Sequence, residues 1–252
     1  MPLMMKHFLT LLLCLSFQTL AAAETDSLKL WGASVSVQPS SVVATDEFVK
    51  KWLKTHTSMA IDVGLLHQAS LSADDEFASD YGFPRFELHL KYIYNKVRLH
   101  RDADPAWGQL QPVDYDSKLG NVLSLYATFE RPFYRHKRWQ MSYAFSTGAA
   151  YAFSPYHTER NIDNELVGTH FNIYFGAGVH VAYRLQCNWA LQAGLEFFHY
   201  SNGAVSRPNK GANHVGPSLS LLYTPFAEAA RQQYARASKP FQKQFYLEPE
   251  VS

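Results

Sequence analysis

The chain has 252 residues, a formal net charge of +1, 47% hydrophobic and 18% charged residues. That near-neutral balance, with no dense Lys/Arg run beyond the N-terminal segment, gives no electrostatic footprint for a nucleic-acid partner. Two cysteines exclude a disulfide scaffold or a Cys-based zinc site, and past the N-terminus no window approaches the roughly 18 unbroken apolar residues of a membrane helix.

The N-terminus reads as an export signal. A basic start at Lys6, an apolar run from Phe8 to Leu20 and the small residues Ala21-Ala22-Ala23 place cleavage after Ala23. Cys14 leaves with residues 1–23, so Cys187 stands alone in the mature chain and no internal disulfide forms. The Leu-Leu-Leu before Cys14 lacks the small residues of a lipoprotein site, which argues against a lipid anchor.

From Leu28 to Val37 the pattern reads as a first strand, followed by a Ser/Pro-containing connection. A short helix is expected over Thr45–Lys54, with Thr45 as N-cap and an acidic pair in the first turn. Period-two alternation then recurs along the chain. Met59, Ile61, Val63 and Leu65 oppose Ala60, Asp62 and Gly64. Phe86, Leu88, Leu90, Tyr92 and Tyr94 oppose Glu87, His89 and Lys91. Further rows begin at Leu123, Trp139, Phe171, Trp189 and Leu219, each opposed by small or polar residues such as Ser124, Ser142, Gly176, Gly194 and Ser218.

Eight strands of about ten residues match the length that crosses a bilayer at a tilt of about 45°. A soluble sandwich or lipocalin-like barrel would have to pack rows as bulky as Phe171-Ile173-Phe175 inside. The glycines and charges sit instead on the opposite faces, which suits a narrow polar lumen with large apolar side chains turned to lipid. The expected fold is therefore all-β: an antiparallel eight-stranded transmembrane barrel over residues 24–226, with a short N-terminal helix. Trp139, Tyr143, Trp189 and Tyr200, near strand ends, read as interfacial girdles. Residues 227–252 form a C-terminal tail that begins helical, and from Gln242 to Ser252 starts to alternate like a strand.

Chemistry concentrates at the end of one row. Leu195, Phe197, His199 and Ser201 share a face, so a base and a hydroxyl lie two residues apart, followed by a turn at Asn202-Gly203. A serine attacks only when a neighbouring base takes its proton, and the amides of Asn202, Gly203 and Ala204, with the Asn202 side chain, are candidate oxyanion donors. Arg207 and Lys210 in the same loop are candidate contacts to a phosphate or sugar head group, with an ordinary solvated loop as the alternative. By spacing alone, His-x-Ser followed by a turn is a weak signal. An ionisable side chain on a lipid-facing wall strengthens it. His89, His170 and His180 lack metal-ligand spacing and read as lumen residues; no metal or cofactor is expected.

The segment Phe198-His199-Tyr200-Ser201-Asn202-Gly203, with Pro208-Asn209-Lys210-Gly211-Ala212-Asn213, resembles the lipid A 3-O-deacylase family, including its branch labelled acyloxyacyl hydrolase. Gly168-Thr-His-Phe-Asn-Ile-Tyr and Tyr183-Arg184-Leu185 extend the resemblance upstream. It implies an outer-membrane barrel of a Gram-negative bacterium with its site on the lipid-facing wall, lipid A or lipopolysaccharide and outer-membrane lipids as partners, and a homodimer as one allowed assembly. It also implies His199 as base, Ser201 as nucleophile and Asn202 in the oxyanion hole. The family's histidine-orienting glutamate aligns with Asn213, which shares the outward parity of Leu219 and Leu221 and can accept a hydrogen bond without supplying charge. Glu196 points inward and is a poor substitute. A catalytically silent structural barrel, or a small lipid-binding or pore barrel, remain the alternatives.

Overall fold

The computed structural model describes residues 30–68, 70–71, 75–102, 116–185 and 188–237. Residues 1–23 with the cleavage point after Ala23, Cys14, Leu28, Cys187 and Gln242–Ser252 lie outside them. In chain order the strands are β1 (Trp31–Val43), β2 (Leu53–Thr55), β3 (Thr57–Gln68), β4 (Arg85–Asn95), β5 (Arg98–Leu99), β6 (Ser117–Lys118), β7 (Val122–His136), β8 (Trp139–Ala152), β9 (Phe171–Arg184), β10 (Trp189–Ser201) and β11 (Ala212–Tyr223). Three helices, α1 (Glu47–Trp52), α2 (Glu76–Asp80) and α3 (Ala227–Ala237), accompany them among the described residues.

Eight of these strands close an antiparallel barrel in the order β1-β11-β10-β9-β8-β7-β4-β3, while β2, β5 and β6 form a small separate sheet. The chain is thus an outer-membrane-type β-barrel with sequential neighbours paired and β1 closing onto β11. The alternation in the sequence sets which face turns out. Ile61, Leu88, Leu125, Phe145, Ile173 and Leu195, from six different strands, are each more than half exposed. Leaving that much apolar surface in water would forfeit roughly 25 cal/mol per Å2, whereas lipid solvates it without cost.

The lumen is filled by paired charge. Asp62 and Glu87 both hold His89, Arg85 bridges Glu87 and Glu130, and His180 lies between Glu130 and Glu196. Lys91, buried at mid-height, donates to Gln38 Oε1 at 2.9 Å and to the Tyr174 hydroxyl at 3.1 Å, and sits 3.7 Å from Glu196. Glycines make room for the imidazoles in this narrow lumen: a Cβ at Gly64 would overlap the His89 ring and one at Gly194 the His180 ring. Glu196 is therefore committed to the interior, as its parity requires.

One end of the barrel is closed by an apolar cap in which Val49, Leu53, Val97, Leu99 and Leu119 from the connections pack onto Phe198 and Tyr200. The opposite end carries the tight Lys137-Arg138 hairpin, the first described turn of the chain and α3. The β3–β4 connection with α2 also lies there, but the β7–β8 and β9–β10 turns at this end are tighter than any connection at the capped end, the asymmetry of the periplasmic and outer sides of such barrels.

Several expectations need correction. The first strand does not stop at Val37 but runs through the Ser/Pro stretch to Val43, with Pro39 paired opposite Met59. The helix is shorter, and Asp46 rather than Thr45 caps it: its carboxylate accepts from the Val49 N–H at 3.1 Å. Tyr200 is no girdle residue, since its parity turns it inward, where it is fully buried. His170 lies exposed just before β9, its ring on Tyr151, rather than in the lumen. Helix α2, capped by Asp75 accepting from the Ala78 N–H at 2.9 Å, went unanticipated because its apolar pattern spans a single turn.

Candidate active site

The final residues of β10 and the first of β11 bring the site together. Leu195, Phe197, His199 and Ser201 leave β10 on its outer face, and the register sets His199 opposite Asn213 of β11 and Ser201 opposite Ile173 of β9. His199 Nε2 is 2.9 Å from Ser201 Oγ, and His199 Nδ1 is 2.8 Å from Asn213 Oδ1. Because Oδ1 can only accept, Nδ1 must carry the proton, which leaves the Nε2 lone pair facing the hydroxyl. That is the tautomer a general base needs.

Tyr200, between His199 and Ser201, points the other way. Its hydroxyl is hydrogen-bonded to His214 Nε2 at 3.1 Å and receives the Asn95 side-chain N–H at 3.3 Å. His214 in turn stacks on Phe198, with centroids 4.5 Å apart. The strand is thus pinned from inside at the residue that joins His199 to Ser201. Sequence reading missed this pair, although the inward parity of Tyr200 and His214 was available as a signal.

The loop from Asn202 to Gly211 is folded back against the β8–β9 connection. The N–H groups of Lys210 and Gly211 donate to the carbonyls of Glu165 and Leu166 at 3.0 and 2.9 Å. Gly211 has φ +75°, and a Cβ there would overlap the His199 ring, so only glycine fits behind the imidazole. Asn202 turns into the loop: its N–H donates to Asn209 Oδ1 and its carboxamide to the Ser206 carbonyl, both at 2.9 Å. Asn209, otherwise only one position of the Pro-Asn-Lys-Gly motif, holds the turn after the serine. Gly203 and Ala204 follow, both at φ +65°. Their amides make no hydrogen bond among the described residues, so they, rather than the Asn202 amide, are the uncommitted donors beside Ser201.

Lys210 is not available for a head group in this arrangement. Its ammonium pairs with Asp46 Oδ1 at 2.7 Å and Glu165 Oε2 at 2.6 Å. Partial burial opposes its charge, but these two hydrogen bonds hold it above the usual lysine range. It clasps the site loop to the α1 cap and to the β8–β9 connection. Arg207 is exposed on the same loop and remains the cation open to solvent there.

The sequence profile of a family described as lipid A 3-O-deacylase (PagL) matches residues 50–221, more than half of the chain and including His199, Ser201 and Asn213. No curated protein matches. Among solved structures, the chain resembles the outer membrane enzyme PagL at 14% identity and TM-score 0.43, over 75% of this chain and 97% of that one. Neisserial surface protein A is similar at 9% identity and TM-score 0.47, over 77% and 96% of the two chains. The Yersinia pestis outer membrane protein Ail is similar at 12% identity and TM-score 0.32, over 75% and 98%.

Proposed function

Since the chain belongs to the lipid A 3-O-deacylase family, we propose that it is an outer-membrane esterase that removes an ester-linked acyl chain from lipid A, with Ser201 as nucleophile, His199 as base and Asn213 as the group that orients the base. The supporting observation is the 2.8 and 2.9 Å relay from Asn213 through His199 to Ser201 on the lipid-facing wall. A substrate lying in the outer leaflet would meet that wall without leaving the membrane.

The proposed reaction uses these groups in turn. Ser201 Oγ attacks the ester carbonyl carbon while its proton passes to His199 Nε2. The charge that develops on the carbonyl oxygen needs donors that lose nothing by turning to it, which the uncommitted amides of Gly203 and Ala204 offer. Collapse of the intermediate breaks the bond to the sugar oxygen, which takes the proton from Nε2 and leaves an acyl-serine. Water, deprotonated by the same histidine, then releases the fatty acid. Asn213 holds the ring by a neutral hydrogen bond, so it supports the imidazolium less than a carboxylate would.

The missing carboxylate is also the observation that favours a second reading, a barrel that retains the site's shape without turnover. Incubating purified protein in detergent with lipid A separates them. Fatty acid released by the wild type and not by Ser201→Ala or His199→Ala supports the esterase; equal background from all three leaves the silent barrel.

A further inference from the structure

The outer wall carries a groove of about 390 Å3 on the far side of β11 from His199. Its outward lining comes from β11 (Val215, Pro217), β1 (Pro39, Ser41) and β3 (Met59), ending at Tyr94 of β4 and at Lys96 just past that strand. Val37 pairs with Leu219 and Ser41 with Val215, so two prolines, Pro39 and Pro217, lie between these rungs on adjacent strands. Neither donates a backbone hydrogen bond and neither ring stands as far from the wall as the leucines and aromatics around it. Behind them Gly216 passes so close to the Pro39 carbonyl that a Cβ would overlap it. A shallow apolar channel results.

Two observations say what lies in it. The wall is membrane-facing, so its solvent is acyl chain. The groove also begins at Val215, one outward position along β11 from Asn213, and so continues directly from the site. With strands about 4.8 Å apart its body over β1 and β3 stands roughly 10–15 Å from β10, to the side of the chain being cleaved at Ser201 and within the width of a lipid that carries several. At its outer end Lys96 is exposed, its ammonium 5.9 Å from the Tyr94 ring centroid, with no carboxylate partner among the described residues. A cation at head-group level above an apolar channel is complementary to an acidic, multi-chain lipid.

We propose that this groove holds a second acyl chain of the lipid whose ester is presented to Ser201, and that Lys96 pairs with a phosphate of the same lipid. The identity of the lipid rests on the family reading; the groove itself does not. Its role is to fix the substrate's rotation against the wall, so that one ester and not its neighbours reaches the serine.

Binding measured with the inactive Ser201→Ala protein in detergent tests this without turnover. Met59→Trp, which fills the channel, and Lys96→Gln are each expected to weaken binding of bis-phosphorylated lipid A at least about fivefold. With dephosphorylated lipid A, Met59→Trp still weakens binding and Lys96→Gln no longer does. Leu88→Trp, an equal bulk on β4 outside the groove, controls for general disturbance of the wall and leaves affinity at the parent value. Equal affinity for all the proteins overturns the proposal, even if the wild type deacylates lipid A. If the wild type releases no fatty acid but the binding pattern holds, the hydrolase reading fails and the groove stands.

Discussion

Asn213 Oδ1 lies 2.8 Å from His199 Nδ1, directly across the β10–β11 ladder. An amide oxygen in this position selects the Nδ1-protonated tautomer but would give an imidazolium no opposing charge. A charge-assisted bond is about twice as strong as a neutral one, a difference of about 1–1.5 kcal/mol. Asn213→Glu should therefore raise kcat by about tenfold, and Asn213→Ala should lower it by a similar factor or more, with KM for lipid A little changed. Unchanged turnover in Asn213→Ala would remove it from the relay.

Gly211→Ala should be far more damaging than its size suggests. The added methyl overlaps the His199 ring and the position has φ +75°, so the ring must swing away from Ser201. Misplacement by about 1 Å can cost about 100-fold in rate. The expected result is a loss of that order in kcat with the barrel still folded, read from its resistance to unfolding in detergent.

The Lys210 clasp predicts a pH dependence. Its ammonium is held above the ordinary lysine range by Asp46 and Glu165, so its contribution is fully present below the unfolded lysine pKa of about 10.4 and is lost as pH rises past the folded value. Wild type should unfold at a higher temperature than Lys210→Met by a margin that stays constant from about pH 7 to about pH 10 and shrinks above that. A margin that grows with alkali would contradict the assignment.

Inside the barrel, Lys91 holds Gln38, Tyr174 and Glu196 together. Removing one member of a buried charged set costs about 3–5 kcal/mol, because its partner is left uncompensated. Lys91→Ala should lower stability by that amount, while Lys91→Ala combined with Glu196→Gln should recover part of it, as measured by denaturant unfolding in detergent.

Much of the architecture was legible because one physical rule, apolar to lipid and small or polar to the lumen, repeats on every strand. It placed Met59, Leu88, Leu125, Phe145 and Ile173 outside and Asp62, His89, Lys91 and Glu196 inside. The same parity put His199, Ser201 and Asn213 on one face, but it is silent on contacts that depend on loop path. Lys210 was legible as a cation, not as the partner of Asp46, which lies 164 positions away. Asn202 looked like an oxyanion donor until the loop fold spent its amide on Asn209. Closeness to a strand end suggests a girdle for Tyr200, but parity decides the matter and turns it inward. Pro39 reads as a turn signal in sequence, yet it sits within β1 at a position between the paired rungs at Val37 and Ser41, where the lack of an N–H is tolerated and the short ring helps form the groove.

The central claim is that the His199–Ser201 pair cuts an ester of lipid A. Mass spectra of lipid A from cells expressing wild type, Ser201→Ala and His199→Ala test it most directly. Wild type alone should convert lipid A to a species lighter by one acyl chain. Identical spectra from all three would contradict it.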